Sequence, residues 1–226
     1  MLNVYLNKIT KDKIGIEIGG PSPTGHSIYA NVETLDNVIF SPDTVWSKHT
    51  NVYNFSPDKS GKVIINDATT INDVNDNVYD FCFASHVLEH IANPLKALNE
   101  WLRIIKNDGH IILILPERSM CFDHNRSITP FSKLKKQYDD CVKEDDLSTL
   151  HEIVLNHDYS MTNCTLNFQQ FLARSLDNYN NRCLHHYVYS PELLKEICVF
   201  LQCEFVYTVT HGLDIWFIMK KLSKIT

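Results

Sequence analysis

The sequence predicts an α/β fold: a doubly wound, seven-stranded, mostly parallel sheet with a C-terminal antiparallel hairpin and a helical insertion after the fifth strand. Three observations lead there. Short apolar runs alternate with helical patterns over residues 14–116, the rhythm of βαβ units. The first run ends in a glycine-rich turn. The last two runs, Glu204–Thr210 and Asp214–Lys220, are joined only by His211-Gly212-Leu213. That link is too short for a parallel crossover, so the final strand must run antiparallel to its neighbour.

Ile14–Ile18 reads as a buried strand that stops at a Gly/Pro/Ser cluster. Val32–Val38 is the second strand, with Asp36 near its end, and Val63–Ile65 the third, closed by Asn66-Asp67. Tyr79–Ala84 is the fourth. Asn93 caps a helix that Pro94 opens, with Leu95, Leu98, Leu102 and Ile105 at helical spacing and Asn107-Asp108-Gly109 as its stop. His110–Leu115 is the fifth strand, apolar on both faces as a central parallel strand must be. Residues 117–189 break the rhythm. They are polar, with helical stretches at Pro130–Cys141 and Leu147–Leu155, and read as an insertion over the ligand edge of one domain spanning 1–226. Ser190-Pro191-Glu192 caps a last helix before the hairpin.

Composition narrows the class. Apolar runs such as Ile111–Leu115 are far too short to span a membrane, and the first residues lack the pattern of a signal peptide, so a cytoplasmic protein is expected. The seven cysteines (82, 121, 141, 164, 183, 198 and 203) form no C-x-x-C pair and read as free thiols. A net charge of −6 disfavours a nucleic-acid partner.

The loop Glu17-Ile18-Gly19-Gly20-Pro21-Ser22-Pro23 lets backbone amides approach a ligand. It fails the dinucleotide pattern G-x-G-x-x-G, with Pro21 and Thr24 at the later glycine positions. It fails the phosphate-loop pattern too, since His26 replaces the lysine and two prolines remove amide donors. Asp36 can accept from ribose hydroxyls, and Asp67 with the Ala68 amide can pair an adenine edge. Each acid alone could equally serve a turn.

The string Tyr79-Asp80-Phe81-Cys82-Phe83-Ala84-Ser85-His86-Val87-Leu88-Glu89-His90 resembles the D-h-h-h-x-x-x-h-L-E-H signature, h being apolar, of small-molecule class I S-adenosylmethionine (SAM)-dependent methyltransferases of the methyltransferase type 11 kind. Asn93 through Pro116 and the first loop resemble the same family, so the likeness runs over about residues 14–116. Pro21 and Pro23 depart from its E/D-x-G-x-G-x-G pattern. Glu17–Ser22, Phe122–Thr129 and Arg182–His186 resemble a smaller subgroup whose members look like glycan or sugar modifiers.

The resemblance implies a Rossmann-like fold, EC 2.1.1 chemistry and S-adenosyl-L-methionine bound by Glu17, Gly19, Gly20, Asp36, Asp67, Ala68, Ser85 and His86. The acceptor is expected to be a sugar, nucleotide-sugar or similar polar small molecule, methylated on oxygen. No Asn/Asp-Pro-Pro-aromatic string follows the fourth strand, which disfavours nucleobase amino groups. A hydroxyl acceptor needs a base, and His124 or His185 with Asp123 are the candidates. Arg126, Arg182 and His186 are expected to hold the acceptor. Adjacent His185 and His186 cannot both face one site from regular structure. No spacing among these groups is diagnostic of a metal site, and none is expected. Two other readings stand beside this one: a catalytically silent SAM- or nucleoside-binding module, and a nicotinamide-dependent nucleotide-sugar enzyme.

Overall fold

The computed structural model describes residues 1–43, 52–161 and 166–223; Cys164, one of the expected free thiols, lies outside them. Among the described residues Cys82, Cys121, Cys141, Cys198 and Cys203 are free thiols. The chain opens with helix α1 (Leu2–Thr10), then β1 (Ile14–Ile18), a short α2 (His26–Tyr29) and β2 (Thr34–Ile39). A hairpin of β3 (Val52–Ser56) and β4 (Lys59–Ile65) follows, then β5 (Tyr79–Ser85), α3 (Pro94–Ile104) and β6 (Ile105–Pro116). Helices α4 (Phe131–Asp139), α5 (Leu150–Asn156), α6 (Phe168–Leu176) and α7 (Asn178–Asn181) lie between β6 and α8 (Pro191–Phe200). Strands β7 (Cys203–His211) and β8 (Asp214–Lys221) end it.

The sheet is eight-stranded, in the order β3-β4-β2-β1-β5-β6-β8-β7. The expected antiparallel last strand is present: β8 pairs antiparallel with both β6 and β7. The expected count of seven is corrected by β3, which pairs antiparallel with β4 at the sheet's edge. Its alternation is the reason. Tyr53 and Phe55 point into the core while Val52 and Asn54 stay exposed, the period of a half-buried strand.

Central strands bury both faces. On β6, Ile111, Leu113 and Leu115 pack with α3 and α8, whereas Ile112 and Ile114 pack with Leu6 and Ile9 of α1 and Ile28 and Tyr29 of α2. This is why the run HIILIL is apolar throughout. Both expected caps form: the Asn93 side chain accepts from the Lys96 amide, and Ser190 from that of Leu193. Helix α3 ends at Ile104, before the expected turn. Residues 105–109 instead make a bulged entry to β6, with Asp108 at φ 63.

Candidate functional site

The chain runs from β1 outward to β2 and β4, and from β5 outward to β6, so the topological switch point lies between β1 and β5. Open α/β sheets bind ligands at that point, beyond the carboxyl ends of the strands. Here β1 and β5 are parallel neighbours up to Ile18 and Ala84. Gly19-Gly20 leaves one strand and Ser85-His86-Val87 the other. Gly19 has φ +77, and a Cβ there would stand 2.8 Å from Val87 Cγ2. The bare glycine therefore lets the Val87 side chain pack close against the turn. The Asn37 side chain accepts from the Gly20 amide at 3.0 Å and donates to its carbonyl at 2.9 Å, holding the turn in place. A hydroxyl chain crosses the crevice, Ser22 to Thr24 at 2.7 Å and Thr24 to Ser85 at 2.9 Å.

Of the acids expected at this edge, Glu17 lies beneath the loop with no solvent exposure. It accepts from Tyr29, Tyr53 and the Ser22 amide. Burial pushes its carboxyl up to about 7 against those hydrogen bonds. Its side chain shapes the loop rather than facing the crevice. Asp36 sits mid-strand in β2, not near the end, and its oxygens are taken by the Lys62 amide and the Tyr79 hydroxyl, each at 2.8 Å. Asp67 does lie just past β4. One oxygen accepts from the Thr69 amide and hydroxyl; the other is 3.4 Å from Arg182. The Ala68 carbonyl accepts from Trp101 Nε1. His86, at φ 53, lies between Asp214 (3.0 Å) and Glu89 (3.5 Å). Burial lowers its affinity for a proton, but those two carboxylates outweigh it and raise the imidazole to about 9.

The insertion meets this edge through Asp123 and His185. Asp123 Oδ2 lies 2.6 Å from His185 Nδ1, and Asp123 Oδ1 accepts from Arg126 at 2.9 Å. Burial pushes the Asp123 carboxyl up, yet His185 and Arg126 hold it below its usual range. The His185 ring packs edge-on against His90 with centroids 4.6 Å apart. Burial, then the charge of His185, drive the His90 imidazole down to about 3, so it is neutral.

The other expected groups go elsewhere. His124 turns away from its neighbour's partner and pairs with Asp158 at 2.8 Å. Arg126 is 1% exposed and donates to Asp123, Glu152 and the carbonyls of His185 and His186, which engages four of its five N–H groups. His186 is fully buried between Thr149 and Asn178, and burial lowers it to about 4. Arg182 stacks on Phe40 just past β2, 4.9 Å from the ring, and bridges Asp67 and Glu144. In this structure Arg126, Arg182 and His186, expected to hold the acceptor, are engaged by the protein's own groups. Adjacency in sequence hid the difference, because each partner comes from a distant segment.

Phe40, beside Arg182, and Glu89, beside His86, were not among the expected groups. Phe40 follows an apolar strand and carried no distinguishing signal, whereas Glu89 lay inside the very string that carried the resemblance. A surface cleft of about 500 Å³, lined by Lys8, Lys13, Asp80, Lys106 and Lys220, is at the opposite, amino-terminal edge of the sheet and away from these groups.

Residues 37–113 match the family model of the methyltransferase domain. No curated protein matches the chain. Among solved structures, the chain is similar to a SAM-dependent methyltransferase from Mesorhizobium loti, with 7% identity, TM-score 0.56 and 96% of each chain covered. It is also similar to one from Aquifex aeolicus, with 11% identity and TM-score 0.51 over 97% of this chain and 87% of that one. At such identities the likeness establishes a shared fold. The domain match on that fold supports a SAM-dependent methyltransferase, an enzyme of the EC 2.1.1 type with S-adenosyl-L-methionine as cofactor. The Gly19 turn and the linked hydroxyls of Ser22, Thr24 and Ser85 lie at the switch point where such folds take their ligand. Among the described residues no helix is long and apolar enough to cross a membrane.

Proposed function

We propose that this chain transfers the methyl group of SAM to a hydroxyl of a sugar or similarly polar small molecule. The observation that carries this reading is the meeting of Asp123 and His185, from the insertion, with Glu89 and His90 just past β5. SAM, when bound, supplies an electrophilic methyl group. The Gly19-Gly20 turn, Asp67-Ala68 and Ser85-His86 would hold it along the carboxyl edge. The protein must then align the acceptor oxygen, exclude water and take up the hydroxyl proton as the new C–O bond forms. Residues 117–189 serve as the cover, within one domain, and the Asp123–His185 pair is the part that faces the acceptor hydroxyl.

The acceptor's chemistry follows from what is left uncommitted. Arg126 and Arg182 are both engaged by carboxylates, which favours a neutral polyhydroxyl acceptor over a nucleotide-linked one. The net charge of −6 disfavours nucleic acid. The test is incubation with SAM labelled in its methyl group and a panel of free sugars, oligosaccharides and nucleotide sugars. Label recovered in a neutral saccharide supports the reading. Label only in nucleic acid or protein, or SAM bound with transfer to nothing in the panel, overturns it.

A further inference from the structure

We propose that Glu89, His90 and His185 form a binding site for a divalent transition-metal cation of the zinc class, at the carboxyl edge of β5. One ligand atom from each of these side chains lies within 4.8 Å of the other two. Four-coordinate zinc with bonds near 2.0–2.1 Å needs its ligands about 3.3 Å apart, so a contraction of up to about 1.5 Å completes the set. Two imidazoles and one carboxylate are a donor set suited to such an ion.

A second observation points to a ligand independently of that spacing. Glu89 has no solvent exposure, and neither of its carboxylate oxygens has a hydrogen-bond partner. Its ion-pair partner is His86, 3.5 Å from one oxygen and itself shared with Asp214. A buried carboxylate so poorly supplied with donors is costly unless a cation meets it.

The surroundings are built as a ligand shell would be. Asp123 takes Nδ1 of His185 at 2.6 Å, which leaves Nε2 as the coordinating atom, and Arg126 fixes Asp123 from behind. The two segments that bring the ligands are laced together. The His186 amide donates to the Glu89 carbonyl at 2.8 Å, Tyr187 to that of Ala92 at 2.5 Å, and Tyr189 to that of Leu88 at 3.4 Å. Three protein ligands leave one position of a four-coordinate ion open, and an acceptor oxygen would fill it; with the ion bound both ring nitrogens of His185 are taken, so the ion would lower the hydroxyl pKa and let its proton pass to solvent in place of uptake by His185. That part in the reaction rests on the methyltransferase reading above; the binding itself does not.

The test uses the full chain, stripped with chelator, and no SAM. Calorimetric titration with Zn²⁺ should show one saturable equivalent, and Mg²⁺ none. Co²⁺ should give the visible bands of a four-coordinate nitrogen and oxygen site. Glu89→Gln, His90→Gln and His185→Gln should each abolish that equivalent, and Asp123→Asn should weaken it about 10–100-fold. His151→Ala, on the exposed face of α5, should change nothing. Circular dichroism identifies variants that fail to fold. If the glutamines unfold the chain, the Co²⁺ spectrum of the wild type decides alone. No zinc equivalent, binding unchanged in the folded variants, or sulfur-to-cobalt charge transfer marking cysteine ligation would overturn the site. A parallel SAM titration separates the two readings: lost SAM binding sinks the methyltransferase reading and leaves the metal site standing, and the reverse result does the opposite.

Discussion

Asp123 and His185 are separated by 62 positions in the chain, yet a carboxylate oxygen of one lies 2.6 Å from Nδ1 of the other. The contact ties the two ends of the insertion together beside the crevice between β1 and β5. It fixes which ring nitrogen of His185 faces Asp123 and which is turned toward Glu89 and His90.

His185→Ala is therefore expected to lower turnover by about 10²–10⁴-fold while SAM affinity stays within a factor of two or so. Asp123→Asn should fall between the variant and the wild type, because it keeps shape and loses charge. Single-turnover kinetics with parallel SAM titration check both. Full turnover in His185→Ala would remove the residue from the chemistry.

Arg126→Ala is expected to act on stability. It would strand a buried Asp123 carboxylate and leave the carbonyls of His185 and His186 without their donor. Breaking a buried pair in this way costs about 3–5 kcal/mol. Urea unfolding measures it. A fully stable variant whose KM for the acceptor alone rises would restore the role of acceptor anchor.

Gly19→Ala should weaken SAM binding. The backbone there is left-handed, which costs a non-glycine residue about 1–2 kcal/mol, and the added methyl would meet Val87 Cγ2 at 2.8 Å inside the crevice. Gly212→Ala is the control: its φ is +59, but a Cβ meets nothing within 4 Å. Both variants lose stability by a similar backbone cost, and only the first is expected to lose SAM. Equal SAM affinities would place the cofactor elsewhere.

Asp67→Ala should cost about 1–3 kcal/mol of SAM binding through a lost buried hydrogen bond, whereas Asp36→Ala should leave SAM affinity unchanged and lower stability. Asp36 is spent on Lys62 and Tyr79 within the sheet. Calorimetry on the two variants distinguishes them, and the opposite ranking would show that the mid-strand acid reaches the ribose after all.

Glu17 sets a pH dependence of stability. Burial raises its carboxyl from 4.5 to about 7 in the folded chain. Between those values the folded state holds a proton that the unfolded state has released. The contribution is fully present below about pH 4.5 and is lost as the pH rises through about 7. Its size is up to about 3 kcal/mol. Glu17→Gln should remove that slope, so the stability difference between wild type and variant should change between pH 4.5 and pH 8. A difference constant over this range would show that Glu17 titrates normally.

Much of the fold was legible because its signals are local. Asn93 and Ser190 cap their helices through atoms three residues away, and the link at His211–Leu213 dictates an antiparallel turn whatever surrounds it. The apolar strands around Gly19 and Ser85 sufficed to place the crevice. Strand β3 was not legible, since five residues of alternation become a strand only when β4 offers them an edge.

The site divides the same way. Residue types and their order offered Asp123, His185, Asp67 and the glycine turn as candidates. Asp36 and Asp67 could not be ranked, because which acid reaches the edge depends on where each strand ends against its neighbour. Nor could Asp123 be told from His124, or His185 from His186. Adjacent side chains leave the backbone in different directions, and each finds its partner from another part of the chain: His185 for Asp123, Asp158 for His124, Asn178 and Thr149 for His186. Sequence determined which groups were available and which strands would carry them. Only the tertiary structure decided which were buried as scaffold and which met at the crevice, because burial and partnership are set by contacts between segments far apart in the chain.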